Sequence, residues 1–226
     1  RVKKAIYPYW TGSALFANAA GSYDSVDLGT EVEAFIADYY RADAALHDEA
    51  LAQSRPLAPA GCPMATIYIN GKFLGAGLNG VHRTAAHYAS LLIDHGRAAG
   101  HEVVLLSPRS VPVDPAFPLL EPVVRPGRFG AGQGWEMLTL PGLARGGLLV
   151  NFCNLGPLLH GNSVVMIHDA QTFLYPQDYS GRQAKAYRAL LPWIARRARR
   201  GLTVSGFSRT SRAAHGVGHP GKIGVI

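Results

Sequence analysis

Between Thr66 and Asn70 the chain reads TIYIN, a short apolar run of strand type. From Gly80 it changes to a helical period, GVHRTAAHYASLLIDHGRAAG, with Ala85, Tyr88, Leu91 and Leu92 expected on one apolar face and Gly100 as the stop. The alternation continues. HEVVLLS predicts a second strand, and GLLVNF and SVVMIHD predict two strands of the kind buried on both faces of a parallel sheet. RQAKAYRALLPWIARRARRG predicts a helix with Tyr187, Leu190, Leu191 and Ile194 on its inner face, and LTVSGFS and KIGVI predict two more strands. Between Pro108 and Gly134 six prolines interrupt any period, so a long loop is expected there. Alternating strands and helices imply an α/β fold: a Rossmann-like, doubly wound parallel sheet with right-handed crossovers.

Charge divides the chain at the same place as pattern does. Residues 1–63 carry five Lys/Arg against eight Asp/Glu, whereas residues 64–226 carry seventeen against seven. In the acidic part, Val32, Phe35, Ile36, Tyr39 and Tyr40 recur at helical spacing, and SRPLAPAGCP has the composition of a linker. Met64 follows, then a strand. Residues 1–63 are therefore expected to be a separable acidic extension, mostly helical or irregular, ahead of a basic domain over 64–226. No apolar run approaches the roughly 18 to 20 residues of a membrane span, and no signal-peptide pattern opens the chain, so the cytoplasm is the expected compartment. Cys62 and Cys153 are too few for a disulfide framework and lack metal-ligand spacing.

Gly75, Gly77 and Gly80 form G-x-G-x-x-G between the first strand and the first helix, where backbone amides can meet a phosphate. A dinucleotide site would add an acidic residue after the second strand to bind the ribose. Pro108 and Arg109 stand there instead, which argues against NAD and leaves only a weak case for an NADP 2′-phosphate at Arg109. The motifs of serine hydrolases, zincins and paired-cysteine metal sites are absent, and no metal is implied.

YINGKFLGAGLNGVHRTAAHYASLL, LVNFCNLGPLLHGNSVVMIHDAQTFLYPQDYS, AYRALLPWIARRARRGLTVSGFSR and GHPGKIGVI, in this order, resemble the N-terminal half of a family 4, or group 1, retaining glycosyltransferase. The resemblance covers Met64 to Ile226. It implies a GT-B architecture, two Rossmann-like domains across a cleft, with the acceptor bound mostly by the first and a nucleotide-diphosphate sugar mostly by the second. The second, donor domain would follow KIGVI, so the chain corresponds to half of such an enzyme. No cofactor is implied beyond the donor itself.

By the same resemblance, Gly77, Gly80 and Val81 approach the donor diphosphate, and Arg83 neutralises a phosphate or contacts the acceptor. His168 takes a catalytic-site position beside the donor sugar, with Asp169 fixing its tautomer or the loop. Ser205 and Ser208 match a further family motif, although Gly206 replaces a larger polar residue. Arg196, Arg197, Arg199 and Arg200 end a helix, and contact with an anionic membrane face is the sharper reading of that run. Nucleic acid is not expected, since no aromatic platform accompanies the charge. The alternatives are a non-catalytic docking module and an NAD(P)-dependent oxidoreductase.

Overall fold

The computed structural model describes residues 64–76 and 79–226, all within the unit Ala60–Ile226. The expected features of the acidic segment, including its helix and Cys62, lie outside the described residues.

Seven parallel strands form one sheet: β1 (Thr66–Asn70), β2 (Glu102–Ser107), β3 (Val123–Val124), β4 (Leu148–Asn151), β5 (Ser163–Met166), β6 (Arg200–Thr203) and β7 (Ile223–Val225). Their spatial order is β3-β2-β1-β4-β5-β6-β7. The chain thus builds outward from β1 in one direction and from β4 in the other, and the order reverses between β1 and β4. Helices α1 (Gly80–Ala98), α2 (Leu140–Leu143), α3 (Gln171–Leu174), α4 (Gly181–Arg197) and α5 (Gly206–Ala214) complete this Rossmann-like α/β arrangement.

The central strands are apolar because both of their faces are covered. Ile69, Leu149 and Met166 are fully buried, and each such side chain contributes about 1.5–3 kcal/mol through lost contact with water. On one side Leu155, Val165 and Ile167 pack with Leu191, Ile194 and Ala195 of α4. Tyr187 and Leu190 pack at the margin of that cluster, as the helical period predicts.

Four local expectations are corrected. In α1 the buried residues are Ala85, Ala86, Ala89, Ile93 and Gly96, while Leu91 is half exposed. Small side chains let this helix close on the sheet, and a Cβ on Gly96 would stand 2.7 Å from Val103 Cγ2. LTVSGFS is not one strand: β6 ends at Thr203, and Ser205 accepts from the Ser208 amide to cap α5. Arg199 and Arg200 lie outside the helix, because Ala198 turns to an extended backbone at ψ 140° and Arg200 opens β6. The proline-rich loop contains the two residues of β3. Beyond it Trp135–Thr139 form a π-helical turn, with the Trp135 indole N–H donating to the Arg125 carbonyl at 2.7 Å.

Candidate functional site

In an open parallel sheet the ligand crevice lies beyond the carboxyl ends of the strands, where their order reverses. Here that is the end of β1 and β4. Both apolar strands finish on a buried asparagine. Asn70 Nδ2 donates to Asn151 Oδ1 at 3.0 Å and to Glu136 Oε1 at 2.6 Å. Asn70 Oδ1 accepts from the Lys72 amide at 3.2 Å, and the Lys72 ammonium pairs with Glu136 Oε2. Glu136 is 1% exposed and Lys72 22%. A carboxylate this deep is tolerable only because a cation and an amide meet its two oxygens. Cys153 lies within the influence of this group, and its thiol is pushed up to about 12, first by burial and then by Glu136. It stays protonated and unreactive at neutral pH. Sequence reasoning passed over Asn70, Lys72, Glu136 and Asn151, although a polar residue closing each of two buried strands was the visible signal.

His168 follows β5 on the same edge. Its backbone N–H donates to Asn154 Oδ1 at 2.8 Å, and its carbonyl accepts from Thr203 Oγ1 at 3.0 Å. Asn154 itself holds φ 51°, a left-handed conformation that asparagine tolerates. The ring Nε2 lies 2.9 Å from the Phe152 carbonyl. A carbonyl only accepts, so Nε2 carries the proton and Nδ1 of the neutral ring is an acceptor. Burial pushes the His168 pKa below its ordinary value, against the upward pull of the Phe152 carbonyl and Asp169, while Arg212 adds to the lowering. Asp169 is exposed, and its Oδ1 accepts from the Gln171 amide at 2.9 Å. Asp169 thus holds the turn into α3, and Phe152 rather than Asp169 sets the His168 tautomer.

Phe152 also links His168 to α1, for its ring stacks on Tyr88 at 6.0 Å. The start of α1 is organised for solvent access. Asn79 caps it by accepting from the His82 amide at 3.0 Å, Gly80 is exposed, and Val81 and Arg83 are half-buried. A Cβ on Gly80 would meet nothing within 4 Å, so space remains in front of this helix end. Gly77 lies outside the described residues. Arg109, the residue expected to face a 2′-phosphate in an NADP enzyme, instead donates from Nη2 to the Gly75 carbonyl. A Cβ on Gly75 would stand 2.5 Å from Arg109 Nε, so this glycine makes room for a guanidinium latch on the loop.

Ser205 and Ser208 are brought together but are occupied with each other: the hydroxyls are 3.1 Å apart, and the Ser208 amide donates to Ser205 Oγ at 3.1 Å. Arg196, Arg197, Arg199 and Arg200 are all exposed. From Tyr179 to Ile226 the chain has ten Lys/Arg and no Asp or Glu. Beside these cations a groove of about 490 Å³ runs between Leu158, Leu159, Leu190, Trp193 and Arg197, with Leu159 71% and Trp193 61% exposed. A larger dent of about 700 Å³ lies at Ser180–Gln183, where α4 begins. Among the described residues no helix is long and apolar enough to cross a membrane, and no group of three His, Cys, Asp or Glu is placed to hold a metal ion.

The carboxyl edge therefore carries a buried neutral imidazole whose Nδ1 is an acceptor, the start of α1 with half-buried Arg83, and a buried ion pair at the strand reversal. No family model, curated protein or solved structure gives a significant match to the chain.

Proposed function

We propose that the chain is the acceptor-side half of a GT-B retaining glycosyltransferase. It would move a sugar from a nucleotide-diphosphate donor to a saccharide or lipid-linked acceptor, in polysaccharide or glycolipid synthesis at the cytoplasmic face of a membrane. The observation that carries the proposal is His168. A histidine held neutral at a strand end, with Nδ1 as acceptor, suits a sugar hydroxyl, and it shares its sheet edge with a helix start that suits phosphate. Arg109 on Gly75 weighs against an oxidoreductase, since the guanidinium that would take a 2′-phosphate is engaged. The acid-free cationic stretch and the exposed Trp193 and Leu159 suit an anionic lipid surface, as interfacial aromatic and basic side chains do.

Titration of the isotopically labelled chain with uridine and guanosine diphosphate sugars tests this. Saturable shifts are expected at the amides of Gly80, Val81 and Arg83 and at the His168 ring. Binding should be weak, because a few contacts on an open face gain little against the cost of immobilising a ligand. No shift at either place would overturn the proposal. A Kd below about 1 µM, worth roughly 8 kcal/mol, would indicate a complete nucleotide site and revive the dinucleotide alternative.

A further inference from the structure

Arg212 lies inside the fold on α5 with no exposed surface. Its Nη1 donates to the Ile167 carbonyl at 3.1 Å and the Leu202 carbonyl at 2.8 Å. Its Nε and Nη2 have no hydrogen-bond partner among the described residues, and no carboxylate pairs with it. Room for the guanidinium comes from Gly201 in β6, where a Cβ would stand 3.3 Å from Nη2. A buried cation without a counter-charge is costly, and such a group in a native fold calls for an explanation. Burial lowers its pKa only to about 10, so it remains charged at neutral pH.

The explanation lies in what the guanidinium holds. Ile167 and His168 have four backbone polar groups, and each is fixed. The Ile167 amide donates to the Leu202 carbonyl at 3.0 Å and the Ile167 carbonyl takes Arg212, while the His168 amide and carbonyl take Asn154 and Thr203. Arg212 is the one charged member of this set. We propose that Arg212 is a positioning residue for His168: its guanidinium locks the peptide before the imidazole, and its uncompensated positive charge disfavours a second cation on that ring, whose Nε2–H tautomer the Phe152 carbonyl sets. Three charged or polar influences face the ring: Phe152 through its carbonyl, Asp169 beside it in the chain, and Arg212 from α5. The first two favour protonation and Arg212 opposes it. Burial opposes protonation first, and removing Arg212 takes away the one charge that adds to that opposition against Asp169. The catalytic value of the arrangement rests on the glycosyltransferase proposal above; the arrangement itself does not.

The test is therefore spectroscopic and needs no substrate. In the full-length chain, nitrogen-15 spectra of the imidazole give the tautomer, and carbon-bound ring protons give the titration midpoint. The wild-type ring should show Nε2–H at pH 7; an Nδ1–H ring or an imidazolium there would overturn the proposal outright. Arg212→Met and Arg212→Gln, both neutral, should raise the midpoint above the wild-type value. Arg212→Lys, which retains the charge, should leave it near the wild-type value. The exposed Arg209→Met on the same helix serves as the control for net charge. Should Arg212→Met fail to fold, the Gln and Lys variants still decide. Equal midpoints in the wild type and a folded neutral variant, or an equal rise in the Lys variant, would overturn the role of the charge. Absence of donor-induced shifts in the wild type, with its tautomer and the variants' midpoints as expected, would count against the glycosyltransferase proposal alone.

Discussion

Replacing Lys72 by Met leaves Glu136 buried without its cation. Methionine has nearly the volume and reach of the lysine stem, so packing changes little and the electrostatic consequence is isolated. Glu136 keeps one hydrogen bond, from Asn70 Nδ2 at 2.6 Å. Breaking a buried pair by deleting one partner costs about 3–5 kcal/mol. Because the Lys72 side chain is 22% exposed, water can reach the orphaned oxygen, and the low end, about 3 kcal/mol, applies. For a domain of this size that corresponds to a fall in Tm of roughly 6–12 °C. Adding Glu136→Gln should restore most of the loss, since an amide oxygen still accepts from Asn70 and no charge is stranded. Urea melts of the wild type, the two single variants and the double variant close a thermodynamic cycle. A coupling under about 0.5 kcal/mol, or a double variant no more stable than Lys72→Met, would refute the idea that the pair holds the reversal point of the sheet. Cys153 gives a second readout: Glu136→Gln removes the charge that raises its thiol pKa and should speed alkylation at pH 9.

Native His168 resists protonation, so between its ordinary value of 6.5 and the lower folded value the unfolded chain binds more protons. Stability should fall as pH falls through that window, and His168→Gln should flatten the slope measured by urea melts at pH 7 and pH 5. Gly71→Ala places a Cβ 2.8 Å from the Leu106 carbonyl oxygen, a backbone atom that cannot swing aside; it should cost more than about 1 kcal/mol, whereas Gly80→Ala, with open space, should cost almost nothing. Limited proteolysis across residues 54–63 should release a domain beginning near Met64 that retains its cooperative melt, and unfolding after that cut would refute separability.

Strands β1, β2, β4 and β5 were legible because each is a short apolar run of the kind buried on two faces, whereas β3 was not, being two valines inside a proline-rich segment. The helix over Gly181–Arg197 was legible for the opposite reason: it is strongly two-sided, with basic residues outside and Leu191 and Ile194 inside. Helix α1 was placed well but its inner face only in part, for of the four expected residues Ala85 is buried and Leu91 is half exposed. The hydrophobic rule chose Leu91 and Leu92, whereas close approach to the sheet chose alanines and Gly96, and that preference depends on how near the sheet lies. The end of β6 was missed because VSGFS is compatible with a strand until the Ser205 side chain claims the Ser208 amide.

His168 could be singled out by position, but nothing in its neighbours along the chain reveals its partners. Phe152, Asn154, Thr203 and Arg212 stand between 14 and 44 residues away, so what makes the imidazole neutral is assembled only by the crossovers. Arg212 shows this most plainly: in sequence it is one of ten cations in an acid-free stretch and reads as solvated surface. Only the fold turns it inward beneath the peptide it holds. Local pattern therefore marks the carboxyl ends of most central strands, while the protonation state of a group placed there is a tertiary property, because it depends on burial and on charges that the chain brings back from distant segments.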